Sequence, residues 1–264
     1  MSREASRLAR RKRAKTWLDE LQRNEESSVA IHYSCESFYD RPDGSSPRIT
    51  SIAIRNLATE QTRSFSIHLV GERNGVALSE ISNHYDKLEK QMLDEFFEYV
   101  RLHQQDRWIH WVMRDVKYGF AAIEHRYQVL GGQPTAIDDS RKFNLASILV
   151  DLYGSNYVDH PRLLNVMRLN TISEMDFLDG TAEANAFTNG EFVKLHQSTL
   201  RKVDNLVSIY ERTVRGDLKT KAKFREIYGG VLPWLVGQVQ EHWIFVLLAL
   251  IGSVASIIGL ALTM

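Results

Sequence analysis

Residues 29–39 read Val29-Ala30-Ile31-His32-Tyr33-Ser34-Cys35-Glu36-Ser37-Phe38-Tyr39. The alternation is that of a β-strand with two unlike faces. Residues two apart share a face, so Ser34 and Glu36 point the same way. Prolines, Gly44 and Asp43 make residues 39–47 a turn-rich loop. Two more strands are expected, at 49–57 and 63–70, joined as a hairpin by the polar stretch 58–62.

A long amphipathic helix follows. Leu78, Ile81, Tyr85, Leu88, Met92, Phe96 and Val100 keep the three-to-four spacing of a core-facing stripe. The apolar run 108–113 suits a buried strand. Residues 116–130 read as a helix stopped by Gly131 and Gly132, and residues 141–172 as shorter helices, with no interpretable signal in 141–151. Phe192, Leu195, Thr199, Val203, Leu206 and Tyr210 mark a second long amphipathic helix. Before the first strand, residues 4–24 look helical. Three strands, a helix, a strand and further helices predict an α/β fold with a mixed sheet flanked by helices, in the order of the RNase H-like fold.

The chain of 264 residues is 44% hydrophobic and 25% charged, which suffices for a real core. Lys+Arg and Asp+Glu are both 33, so the net charge is zero and no overall basic excess points to nucleic acid. The one cysteine, Cys35, excludes a disulfide within the chain and suits a small core position. Arg3, Arg7, Arg10, Arg11, Lys12, Arg13 and Lys15 precede no apolar stretch, so the N-terminus is no signal peptide. It reads as a solvated helical extension or as a basic arm for lipid or nucleic-acid phosphates.

Residues 243–264 carry no charge. A helix of this length spans roughly 33 Å, enough for a hydrocarbon core of about 30 Å, and is expected to act as a tail anchor. Lys219, Lys221, Lys223, Arg225 and the basic N-terminus lie on the near side. The positive-inside tendency therefore predicts a single-pass protein whose soluble domain faces the cytoplasm. Pro233, Trp234, His242 and Trp243 look interfacial, and 227–239 is expected along the membrane surface. Ala249, Gly252, Ser256, Gly259 and Thr263 form a stripe of small residues along the span, leaving homo-oligomerisation through it open. The expected organisation is a basic extension (1–27), the α/β domain (28–215), a juxtamembrane linker (216–242) and the span (243–264).

Three short motifs carry a resemblance. Ser34-Cys35-Glu36 lies on the first strand. His110-Trp111-Val112-Met113-Arg114-Asp115 follows the fourth. Thr199-Leu200-Arg201-Lys202-Val203-Asp204 lies on the late helix. In order and context these resemble the DEDD-type 3′–5′ exonuclease superfamily, over roughly residues 28–212. That family holds two divalent metals with four carboxylates: Asp-x-Glu on the first strand, an Asp in a His-Asn-x-x-Phe-Asp context, and an Asp on a late helix about five residues after a His or Tyr general base.

The resemblance implies Glu36, Asp115 and Asp204 as ligands for Mg²⁺ or Mn²⁺. His196 or His110 would assist a water. Ser34 stands where the family has the Asp that bridges both metals, Trp111 replaces Asn, Arg114 replaces Phe, and Thr199 stands in place of the general base. A neutral serine does not supply the missing charge. The implied function is a membrane-tethered exonuclease-like hydrolase of nucleic-acid or nucleotide phosphodiesters. The alternatives are a catalytically degenerate module binding nucleic acid, nucleotide or protein, and a membrane effector acting through the span. Structural roles stand beside these: Asp115 as a helix N-cap, Glu36 as a salt-bridged strand residue, Asp204 as a polar helix-face residue, both histidines as hydrogen-bonded fold residues. No phosphate loop, G-x-S-x-G elbow or paired Cys/His zinc spacing occurs.

Overall fold

The computed structural model describes residues 3–36, 46–113 and 118–228. The predicted span 243–264, with Trp243, Gly252, Ser256 and Gly259, lies outside the described residues, as does Asp115. Among the described residues no helix is long and apolar enough to cross a membrane. The chain divides into two compact units. One joins Met1–Thr16, Leu149–Tyr157 and Lys221–Met264; the other joins Trp17–Ile148 and Val158–Thr220.

The larger unit is built on a five-stranded mixed sheet. Its strands are β1 (Ser28–Cys35), β2 (Ile49–Asn56), β3 (Thr62–Ser66), β4 (Arg107–His110) and β5 (Lys142–Asn144), in the order β3-β2-β1-β4-β5. β2 runs antiparallel to β1 and β3, whereas β4 is parallel to β1 and β5 to β4. Helix α1 (Arg3–Arg23) precedes the sheet, and α2 (Ile67–Arg73) and α3 (Tyr85–Leu102) carry the chain from β3 to β4. After β4 come α4 (Phe120–Val129), α5 (Leu145–Tyr153), α6 (Arg162–Leu169), α7 (Gly180–Thr188), α8 (Phe192–Arg215) and α9 (Phe224–Tyr228).

Several boundaries differ from the sequence expectation for physical reasons. The third strand ends at Ser66, not at residue 70. From there Ile67, Val70 and Gly71 are buried at helical spacing, and the period changes from two to three-to-four. The first long helix begins at Tyr85. Leu78–His84 winds as a tighter 3₁₀ stretch that leaves Leu78 54% exposed. The uninterpreted stretch 141–151 contains the edge strand β5, three residues with one buried side chain, Phe143. The helix after β4 ends as expected. Gly131 takes φ +79°, and a Cβ on Gly132 would stand 2.2 Å from the Tyr127 ring, so only glycine fits there.

One face of the sheet is bulky and apolar. Val29, Ile31, Tyr33 and Cys35 of β1, Ile52 and Ile54 of β2, and Phe65 of β3 belong to the main core cluster. They are joined from α3 by Tyr85, Leu88, Met92, Phe96 and Val100. The Phe65 ring meets Phe96 at 5.7 Å and Tyr99 at 6.1 Å, both edge-on, and Trp108 of β4 meets Tyr99 at 6.2 Å. A buried ion pair pins this face: Glu89 accepts from the Ile49 amide at 2.6 Å and from Arg126 Nε at 3.0 Å. Burial pushes the Glu89 carboxyl up, against the opposing pull of Arg126.

Candidate functional site

The other face of the sheet is small and polar. Directly opposed residues share a face, so the register lines up Ser34, Ser51 and Ser66 across β1, β2 and β3. The next rows are His32, Ala53 and Ser64, then Ala30, Arg55 and Thr62. Helix α8 lies on this face. Its contacts fall on all three rows: His196 Nε2 is 2.9 Å from Ser64 Oγ, Thr199 Oγ1 reaches Ser34 and Ser51, and Asp204 pairs with Arg55 at 3.4 Å. Short side chains on the sheet let the helix approach closely enough for hydroxyl-to-hydroxyl contact.

Under α8 the hydroxyls form a chain that ends on a carboxylate. Ser51 Oγ and Thr199 Oγ1 are 2.6 Å apart, Thr199 Oγ1 and Ser34 Oγ 2.8 Å, and Ser34 Oγ donates to Glu183 Oε1 at 2.7 Å. Each hydroxyl has one proton to give. Ser34 gives its proton to Glu183 and Ser51 gives its own to Thr199, while the one Thr199 proton is shared between Ser34 Oγ and the Leu195 carbonyl, 2.9 Å away. Glu183 comes from α7 and Lys202 from α8; Lys202 Nζ stands 2.8 Å from the same Oε1. Ser198 Oγ donates to it as well, at 3.3 Å. Ser34, Ser51, Ser198, Thr199 and Glu183 have no solvent exposure, and Lys202 is 5% exposed. The Lys202 ammonium also lies 5.2 Å from the Phe177 ring centroid.

Two groups in this layer are under-satisfied among the described residues. Glu183 Oε2 and both ring nitrogens of His32 are buried without a hydrogen-bond partner. Burial holds His32 well below the usual imidazole range, and the Lys202 charge lowers it further. A neutral His32 beside a charged Lys202–Glu183 pair is the arrangement with the least uncompensated charge.

The structure separates the residues that the sequence grouped. Ser34 lies in the buried hydroxyl chain. Glu36 is half-buried past the end of β1, where its Oε2 accepts from the Arg48 amide at 3.4 Å. Asp204 pairs with Arg55 at 3.4 Å, and Arg55 is opposed to Ala30. Ala30 lies about 20 Å along the chain from Glu36 at strand rise, whereas ligands of one divalent ion sit at about 2.0–2.6 Å from it. His196 is buried against Ser64, with its ring 5.0 Å from His68; burial, with repulsion from His68, pulls its pKa down to about 4. His110 is fully buried on β4. Its Nδ1 accepts from the Met113 amide at 2.9 Å, and its ring meets Phe120 edge-on at 5.4 Å.

Among the described residues no group of three or more His, Cys, Asp and Glu side chains is placed to hold a metal ion. The donor set around Ser34 is one carboxylate, four hydroxyls and an ammonium. A divalent cation does not fit beside the Lys202 charge. A separate cavity of about 400 Å³ lies beyond the carboxyl end of β4, lined by Met113, Phe120, Ala121, Asp139 and Lys142. Next to it Val112 adopts φ +54°, a strained conformation for a β-branched residue.

Glu183, Lys202 and His32 are the site residues that sequence reasoning did not single out. The signal for Lys202 was its place on the buried arc of α8 between Thr199 and Leu206. For His32 it was the strand period, which puts it on the Ser34 face. No protein-family model matches the chain, and no curated protein matches it either.

Proposed function

We propose that the chain is a membrane-tethered, catalytically degenerate module: an RNase H-like α/β domain that binds a partner and does not hydrolyse phosphodiesters. The observation that carries this reading is the wiring of Ser34. The position that resembles the first metal-bridging carboxylate is a serine sealed under α8, and Glu183, the nearest carboxylate, is neutralised by Lys202 at 2.8 Å. The Lys202 ammonium supplies a positive charge from within the chain beside the Ser34 position. The succession of three antiparallel strands, helices, and a crossover strand parallel to the first supports the RNase H-like assignment. The charge-free run 243–264, with basic residues on its near side, supports a single-pass anchor and a cytoplasmic domain.

Charge narrows the partner. The unit formed by Trp17–Ile148 and Val158–Thr220 holds 23 Lys and Arg against 29 Asp and Glu, a net −6. An acidic domain repels polyanions, which favours a protein partner over nucleic acid for this unit.

The test is a hydrolysis assay on single-stranded DNA, RNA and dinucleotides, using the full chain in detergent with Mg²⁺ or Mn²⁺. The expected result is background turnover, the same in wild type and Glu36→Ala. Metal-dependent hydrolysis that Glu36→Ala or Asp115→Ala abolishes overturns the reading in favour of a working exonuclease.

A further inference from the structure

The smaller unit has the opposite charge. Met1–Thr16, Leu149–Tyr157 and Lys221–Met264 together hold ten Lys and Arg against four Asp and Glu, a net +6 in a chain whose total is zero.

Two of its four acidic residues, Asp151 and Glu226, are engaged within the unit. Asp151 of α5 is met by Arg13 at 2.8 Å and by Arg10 at 3.8 Å. Glu226 of α9 accepts from the Lys223 amide at 2.9 Å and from Asn156 Nδ2 at 3.3 Å. Two arginines of α1 tie these parts together. Arg7 donates to the Asp151 carbonyl and, through Nε, to the Glu226 carbonyl at 2.8 Å. Arg11 donates to the Leu152 carbonyl at 2.5 Å and stacks 4.9 Å over the Tyr228 ring. Both satisfy carbonyls at the C-terminus of α5, where the helix dipole favours cations.

The exposed charged side chains described in this unit are all basic. Arg10 and Arg13 are 48% and 55% exposed, and Lys12, Lys223 and Arg225 are exposed too. Helix α9 stands on the same arginines, and the charge-free run begins fifteen residues after Tyr228, with Trp234 and Trp243 in the intervening sequence and at its start.

We propose that the outer side of this unit, carrying Arg10, Lys12, Arg13, Lys223 and Arg225, is a docking surface for anionic phospholipid headgroups. The proposal rests on the tail-anchor reading for its choice of partner. Charge complementarity and continuity of the chain into the apolar run argue for lipid. Each such cation near an anionic leaflet strengthens binding about five-fold. Arg7 and Arg11 do not belong to the surface; they hold α9, and with it the exit of the chain, against α1 and α5.

The experiment uses the full chain reconstituted into phosphatidylcholine vesicles, with and without about one third phosphatidylserine. Carbonate extraction reports the anchor. Amide exchange over residues 6–15 and 221–228 reports the surface. The expected result is slower exchange on phosphatidylserine vesicles alone, lost at high salt and in Lys12→Glu/Lys223→Glu/Arg225→Glu, and kept in Lys12→Arg/Lys223→Arg. Carbonate-resistant protein with equal exchange on both vesicles overturns the docking surface while leaving the anchor standing. Carbonate-extractable protein that still shows salt-sensitive protection on phosphatidylserine supports the surface and refutes the anchor. Protection of the same residues by an oligonucleotide at physiological salt, with none from phosphatidylserine, overturns the lipid assignment.

Discussion

The two faces of the sheet solve the same packing problem with opposite chemistry. Against α3 the strands present Val29, Ile31, Tyr33, Ile52, Ile54 and Phe65, and cohesion comes mainly from apolar area and interlocking rings, with the Glu89–Arg126 pair at the margin. Against α8 they present Ser34, Ser51, Ser64, Ala30, Ala53 and His32, and cohesion comes from short hydrogen bonds and one buried ion pair. The apolar face tolerates local loss, because neighbouring contacts remain. On the polar face each group depends on a partner, and removing one strands another in a dry layer. An ordinary enzyme site would pair such a polar layer with an opening to solvent. Here the chain closes it with its own helix.

The largest effect should come from the ion pair. Lys202→Met leaves Glu183 charged and buried, and should cost about 3–5 kcal/mol in urea unfolding of the full chain in detergent. Adding Glu183→Gln should restore most of that loss. A double variant as unstable as the single would mean that Lys202 acts by packing and not by charge. The apolar face gives the reference: Ile31→Ala should cost about 3 kcal/mol whether or not Lys202 is intact, because cavity and charge are independent.

Acid should weaken the polar face selectively. His196 titrates at about 4 in the folded protein, against about 6.5 when unfolded. The unfolded chain therefore takes the proton first. Stability is at its plateau above pH 6.5 and falls as pH drops from there toward 4, by up to about 3 kcal/mol. His32, also depressed by burial, works in the same direction. His196→Gln should reduce the pH dependence over this window in urea titrations and leave the part due to His32. An unchanged slope would place the acid sensitivity elsewhere. At the small end, Ser51→Ala removes one link that only donates into the chain, and should cost about 1 kcal/mol.

The legible parts of the fold were those with long, clean periods. The stripe of α3 from Tyr85 onward and that of α8 from Phe192 to Tyr210 appear as the sequence predicts, and β1 follows its predicted strand as far as Cys35, with a register shift between Ser34 and Cys35. Short or mixed-period elements were not legible. The edge strand β5 has three residues, and α2 begins within an apolar run that continues the strand before it. Of the site, Ser34 was visible as the odd residue of its motif. Its partner was not, because Glu183 lies 149 residues away on α7, and pairing at that separation is set by tertiary packing alone. Asp204 failed to meet Glu36 for a related reason: the five-residue step from Thr199 leads along α8, away from the end of β1 where Glu36 sits.

With Lys202 paired to Glu183 beside Ser34, the proposed degenerate module should bind no divalent metal. The most direct measurement is the thermal midpoint of the full chain in detergent with EDTA, with 1 mM Mg²⁺ and with 1 mM Mn²⁺. A ligand that binds only the folded state raises that midpoint in proportion to its affinity. The midpoint should be the same in all three conditions. A rise of several degrees with either metal, abolished by Glu36→Ala or Glu183→Gln, would contradict it.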